Sequence, residues 1–336
     1  MTLRSHLIGD SLARVGVTLG QGTDDDAVVE LPRHRERNQG SSRTAAIIGG
    51  QKLNEFDLHY DHDERILWCY FDFSGRPCFT PQVLEEAQHI QGLLKALSDE
   101  QVAAAEPPVR YLVLGSRVRG LWNTGGDLAL FAELIRRGDQ DALRRYAHAC
   151  CEVGFTNATL YDLPIVSIAL VQGEALGGGF EAVLSSNVIV AERRARFGLP
   201  EILFNLFPGM GALSFLSRRI APGLAERMIL SGAIYTAEQL YEQGVIDVLA
   251  ADGEGVDAVY AYIGRGSKRH GAHVAVRRAQ RIVNPVSLDE LIGIADLWVD
   301  AAMRLGDADL RKMLRLAAAQ DRRRTREREP QQVPAE

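Results

Sequence analysis

Segments with helical periodicity alternate with short apolar strands, and this order restricts the architecture more than any other feature of the chain. TPQVLEEAQHIQGLLKALSDE has a Thr-Pro start and helical spacing, VRYLVLGS reads as a strand, and residues 127–153 are again helical in pattern. PIVSIALVQG then reads as a buried strand, GGFEAVLSS as the opening of another helix and SNVIVAER as a further strand. Such alternation predicts an α/β fold. Before it, FDLHYD and RILWCYFDF flank the polar His62-Asp63-Glu64 and predict a β-hairpin. After Phe207 the pattern is mostly helical, through LAERMILSG, AEQLYEQG and the long run LDELIGIADLWVDAAMRLGDADLRKMLRLAAAQ.

No internal repeat or composition shift separates two independent cores. Residues 1–46 are rich in charge, Gly and Ser, bury too little to offset the ordering of their backbone, and are expected to be a mobile extension. A core over 47–250, a C-terminal helical region over 251–324 and a solvated tail over 325–336 complete the expected organisation. No run of about 18 apolar residues occurs, so no membrane span is expected. Arg4, Asp10 and Arg14 interrupt the apolar residues of the N-terminus, which argues against a secretory leader and gives a transit peptide little support. Cys69, Cys78, Cys150 and Cys151 lack CxxC spacing, so reduced thiols and a cytoplasmic location are expected, with no metal site. The net charge of -6 argues against nucleic acid as the main partner.

Two glycine-rich turns stand out. In VQGEALGGGFEA a strand runs through Gly177, Gly178 and Gly179 into a helix, and such a helix start presents unpaired N–H groups to negative charge. A side chain at any of the three glycines is expected to keep a ligand off the backbone. Asn123-Thr124-Gly125-Gly126-Asp127 has the same character, with Asp127 suited to be an N-cap. One N–H from each turn could serve one carbonyl oxygen, forming an oxyanion hole whose donors each contribute on the order of 3 kcal/mol to a transition state. Glu181 follows the first turn and Glu201 follows a Gly-Leu-Pro turn. The GMG at 209–211 reads as close packing.

LGGGFEA, the glutamate of GLPEILFNLFPGMGA and the upstream NTGGDLALF resemble the crotonase (enoyl-CoA hydratase/isomerase) superfamily, from about Asn54 to Arg324. Within it the sequence is most similar to the diffusible signal factor synthases, with which it shares GGDLALF, ALGGGFEA, FPGMGA and a late WVDAAMRLG helix. The resemblance implies a crotonase-like spiral of ββα turns with a C-terminal helical region, assembled as a homotrimer or a dimer of trimers. It places the oxyanion hole at Gly126 and Gly178, the acid/base pair at Glu181 and Glu201, and the acyl pocket at Trp298 and Leu316. It implies no cofactor, the substrate being carried as a thioester of acyl carrier protein or CoA. Arg117, Arg119, Arg193, Arg194 and Arg196 could dock an acidic carrier, meet CoA phosphates or simply be solvated.

Three functions follow from these residues. The first is dehydration of a 3-hydroxyacyl thioester and hydrolysis to a free cis-2-unsaturated fatty-acid signal. The second is a plain enoyl-CoA hydratase or isomerase that keeps the thioester. The third is a regulatory binding partner of a sensor kinase. Glu174 departs from the signal synthases by placing a charge before the glycine turn. His59, Asp61, His62 and Asp63 lie across the hairpin on alternating faces, which argues against a metal site. Neither a GxSxG elbow nor a P-loop is present.

Overall fold

The structure, a computed structural model, describes residues 43–100 and 107–328. Residues 1–42 of the expected extension and 329–336 of the expected tail lie outside the described residues. Helix α1 (Arg43–Gly49) occupies the end of that extension and buries Thr44 and Ile48.

The hairpin forms as expected from β1 (Phe56–Asp61) and β2 (Ile66–Phe71), with Phe56 opposite Phe71. Its turn is closed by Asp61, whose Oδ1 accepts from the amides of Asp63 and Glu64. After α2 (Pro81–Glu100) the chain climbs in repeated turns. The first contributes β3 (Tyr111–Ser116), β4 (Leu121–Asn123), α3 (Leu128–Arg137) and α4 (Gln140–Thr159). The second contributes β5 (Val166–Val171), β6 (Glu174–Leu176) and α5 (Gly178–Leu184), and the third β7 (Val188–Glu192) and β8 (Arg196–Gly198). Then follow α6 (Ala212–Leu216), α7 (Pro222–Ser231), β9 (Ile234–Thr236), α8 (Ala237–Glu242) and β10 (Val248–Ala250). The helices α9 (Gly255–Gly266), α10 (His270–Val283), α11 (Leu288–Ala302) and α12 (Asp307–Arg328) end the described chain.

Each ββα turn gives one strand to a sheet of order β1-β2-β3-β5-β7-β10 and one to a sheet of order β4-β6-β8-β9. This is the spiral that the resemblance implies. The close pitch requires Gly173, where a Cβ would lie 2.2 Å from the carbonyl carbon of Gly120 in the turn below. Strand β2 is apolar throughout because both of its faces are covered. Leu67, Cys69 and Phe71 belong to the main core, while Ile66, Trp68 and Tyr70 pack with Val259, Ile263 and Val274 of α9 and α10.

Two expectations of the helical pattern are corrected. The stretch 127–153 is two helices, because Gly138 takes a left-handed conformation (φ 68°) and Asp139 caps a new helix by accepting from the Ala142 amide. The long C-terminal run also divides, with α11 ending at Ala302 and α12 starting at Asp307. Helix α12 then reaches Arg328, inside the expected tail, and the short strands β9 and β10 interrupt the region expected to be mostly helical. Among the described residues no helix is long and apolar enough to cross a membrane.

Candidate active site

The two glycine turns meet. Gly125 (φ 98°) is placed so that a Cβ would lie 2.9 Å from the Gly178 nitrogen, and a Cβ on Gly178 would lie 3.3 Å from the Gly126 nitrogen. The expected reason for the glycine triplet, room for a ligand, is therefore incomplete. Gly179 faces protein rather than ligand, since its Cβ would stand 2.3 Å from the carbonyl oxygen of Asn123. Gly177 has φ 52°, a conformation that penalises other residues, and its Cβ would lie 2.7 Å from Glu201 Oε1. The Asn123 side chain closes its own turn by accepting from the Gly125 amide at 2.7 Å. Asp127 caps α3 as expected, accepting from the Leu130 amide at 3.0 Å, and is paired with Arg76 at 2.6 Å. The segment before α2 braces the turn further, because Pro77 O accepts from Thr124 Oγ1 and Phe79 N donates to Gly125 O.

Helix α5 starts at Gly178, so Glu181 sits in its first turn and is buried. Its Oε1 accepts from the amides of Met210 and Ala212 at 2.9 and 3.0 Å. The GMG segment is thus more than packing, as it aims two backbone donors at a carboxylate. Burial pushes the Glu181 carboxyl up to about 7, against the pull of those two donors. Glu201 lies in the one-turn 3-10 helix Pro200–Phe204 and its Oε2 is buried with no hydrogen-bond partner among the described residues. Burial and then the charge of Glu181 push the Glu201 carboxyl up to about 8.

A cavity opens beside these groups, with about 820 Å³ of empty space when the solvent at its mouth is counted. Gly126, Gly178 and Glu181 line one end of it. Helix α5 continues the wall with Ala182 and Ser185, and α4 supplies Cys150, Val153 and Asn157, each set at the spacing of one helix face. Phe71, Phe79, Leu84, Leu112 and Trp122 make the rest largely apolar.

Comparison with known proteins places this geometry. A profile of the enoyl-CoA hydratase/isomerase family matches residues 86–279, more than half of the chain. The chain belongs to the enoyl-CoA hydratase/isomerase family. Among relatives, a 2,3-dehydroadipyl-CoA hydratase of Escherichia coli (strain K12) is 32% identical over 161 residues, which are 48% of this chain and 59% of that protein. The mitochondrial enoyl-CoA hydratase domain-containing protein 3 of Danio rerio is 28% identical over 160 residues, 48% of this chain and 53% of its own length. The chain therefore spans little more than half the length of these curated relatives. The crystal structure of an enoyl-CoA hydratase from Bacillus halodurans superposes with a TM-score of 0.65 at 20% identity, covering 78% of this chain and 99% of that one. Pseudomonas aeruginosa DspI gives 0.57 at 20% identity over 71% and 91% of the two chains. At such identities the likeness establishes the fold.

Within this family fold, the expected site residues divide. Gly126, Gly178 and Glu181 line the cavity, and Glu201 lies against Gly177 beside them without being part of the lining. Trp298 and Leu316 do not line it. Trp298 is instead core: it packs edge-on against Phe131 and fills the space over Gly209, while Leu316 is partly buried against the same core. The residues that do form the apolar walls were not singled out in the sequence, because they come from β1 to β4, α2, α4 and α5 and converge only through the spiral. Of the arginines, Arg117 pairs with Asp57 and lies over the Tyr70 ring, Arg193 pairs with Glu238, and Arg194 with buried Glu192. Arg196 donates to the carbonyls of Arg193, Arg194 and Ala195. Glu174 begins β6 opposite Leu121 and Arg196, and is not among the cavity residues.

The burial of Glu201 has a measurable cost. Its folded-state carboxyl holds a proton from the ordinary value of 4.5 up to about 8, so folding loses stability as pH rises through that window. Glu201→Gln is expected to remove the penalty, on the order of a few kcal/mol at pH 8 and little at pH 5. Thermal melts of both proteins at the two pH values measure this; equal shifts at both would show that Glu201 is not held in its neutral form.

Proposed function

We propose that the chain dehydrates a 3-hydroxyacyl thioester and then hydrolyses the product to a free 2-unsaturated fatty acid. The observation that carries this reading is the pair of carboxyls, both held toward their protonated forms near neutrality, beside two abutting glycine turns at the end of an apolar cavity. Removing a proton from C2 requires stabilising an enolate oxygen, a role suited to the backbone N–H groups of Gly126 and Gly178. Glu181, whose ionised form is supported by two amides, is the base at C2. Glu201, whose Oε2 is buried with no partner among the described residues and whose carboxyl burial pushes up, is the acid that protonates the departing 3-hydroxyl. The C2–H and C3–O bonds break, water leaves, and a C2=C3 bond forms.

The first step leaves Glu181 protonated and Glu201 ionised. Glu201 then takes a proton from the attacking water as it adds to C1, and Glu181 returns its proton to the sulfur as the C–S bond breaks. Both carboxyls end as they began, so one pair serves both steps. The cis geometry and an acyl carrier protein as donor rest on the similarity of GGDLALF, ALGGGFEA and FPGMGA to the signal synthases. The internal contacts of Arg117, Arg193, Arg194 and Arg196 weigh against these arginines being a ready docking face for that carrier. A homotrimer or dimer of trimers and a cytoplasmic location belong to the same reading, while a sensor-kinase partner belongs to the binding alternative.

Incubation with medium-chain 3-hydroxyacyl groups on acyl carrier protein and on CoA, followed by mass spectrometry, tests it. A free cis-2-enoic acid is the expected product. An enoyl thioester that is never hydrolysed makes the chain a plain hydratase, and no turnover on either carrier turns attention to a binding role. The kcat/KM of dehydration should follow a bell, rising as Glu181 ionises near pH 7 and falling as Glu201 ionises near pH 8, with the two limbs belonging to the pair rather than to either residue alone.

A further inference from the structure

Besides Glu181, the polar side chains that line the cavity are Gln91, Asn157 and Ser185, the last at the C-cap of α5, the end of that helix remote from the glycine turn. The hydrogen bonds there fix which atoms face which way. Ser185 Oγ donates its one proton to Ala182 O at 2.7 Å, so it can only accept from Asn157, and Asn157 Nδ2 stands 2.7 Å away. The same Nδ2 lies 3.3 Å from Ser186 Oγ. Gln91 is oriented equally firmly, because its Nε2 donates to Val153 O at 2.9 Å, one turn of α4 before Asn157. Both amides therefore turn their carbonyl oxygens away from these contacts. No described residue donates to Asn157 Oδ1 or Gln91 Oε1, although the two side chains are only 5% and 8% exposed.

Neither oxygen is among the fully enclosed side-chain atoms without a partner, so both are reachable from the cavity, and acceptors that face a largely apolar cavity are normally matched by a donor. We infer that the distal end of the cavity is a subsite for a hydroxyl group carried on the acyl chain, which donates to Asn157 Oδ1 or Gln91 Oε1. The inference rests on the acyl-thioester reading of the site and narrows its substrate to hydroxylated medium-length chains. Helix α5 provides the ruler. It runs from Gly178 to Leu184, with Ser185 as its C-cap, and at about 1.5 Å per residue it sets the polar end roughly 10 Å from the glycine turn. A saturated chain of roughly eight carbons, with bonds of about 1.5 Å, covers that distance.

The test measures binding without requiring turnover. Decanoic acid and a series of hydroxydecanoic acids, the hydroxyl moved one carbon at a time along the distal half, are titrated calorimetrically into the full chain. At least one hydroxy acid is expected to bind about 10-fold more tightly than decanoic acid. Asn157→Leu is expected to abolish or invert that preference. Gln91→Met, which leaves the Asn157–Ser185 contact intact, is expected to reduce it and serves if Asn157→Leu does not fold, as judged by thermal melting. Decanoic acid binding as tightly as every hydroxy acid would overturn the inference and assign the two oxygens to water. Failure of dehydration with intact hydroxy-acid preference counts against the proposed reaction alone.

Discussion

Glu181→Gln is expected to lower the kcat of dehydration by about 10³-fold, within the range that a positioned acid or base contributes. The substitution is nearly isosteric, and its amide oxygen can still accept from Met210 and Ala212, so the loop is not released. What is lost is the ability to take a proton from C2. KM should change little, because the apolar walls of the cavity are untouched and the new side chain is nearly the same size. A single-turnover measurement with a 3-hydroxyacyl thioester, alongside a melting curve at pH 7, separates chemistry from folding. Retention of more than a tenth of the wild-type rate would remove Glu181 from the mechanism.

Gly179→Ala is the second large effect, and it acts through structure. The new methyl would meet the Asn123 carbonyl at 2.3 Å, which is backbone and cannot swing aside. Either the two glycine turns part or α5 shifts. Overpacking of this kind costs on the order of 1–3 kcal/mol in stability. Because Gly126 and Gly178 belong to those same turns, kcat should also fall by about 10²-fold, as when one oxyanion donor is lost. Gly75→Ala is the control, since nothing lies within 4 Å of a Cβ there. Equal rates and melting temperatures for Gly179→Ala and the wild type would mean that the close contact of the turns has no part in activity.

The local turns were legible in the sequence and the pocket was not. Glycine triplets, an N-cap aspartate and a glutamate within one turn of a helix start are statements about neighbours in sequence. They mark the two turns and the two glutamates as a group, while the choice of Gly126 and Gly178 as donors and of Glu181 and Glu201 as an acid/base pair comes from the resemblance to the family. The hairpin was legible for the same reason. The walls of the cavity depend on which strands and helices the spiral stacks together, and single-chain periodicity marks their residues only as buried. Trp298 shows the difficulty: a large apolar side chain at helical spacing fits a pocket or a core equally well, and contact with Phe131 and Gly209 makes it core. The role of GMG was missed because backbone amides carry no sequence signature of where they point. The break at Gly138 was visible as a glycine, but its left-handed conformation was not.

Helix α4 is shared between two regions that the pattern of the chain kept apart. One face, with Cys150, Val153 and Asn157, walls the cavity. The other is held by α11: Arg144 and His148 both contact Asp296, and Cys151 Sγ donates to Leu291 O. A chain cut after residue 250 would strip the support from the back of that wall. Spiral and C-terminal helices therefore form one cooperative unit, and unfolding of the last helices and loss of ligand affinity should be seen in a single transition.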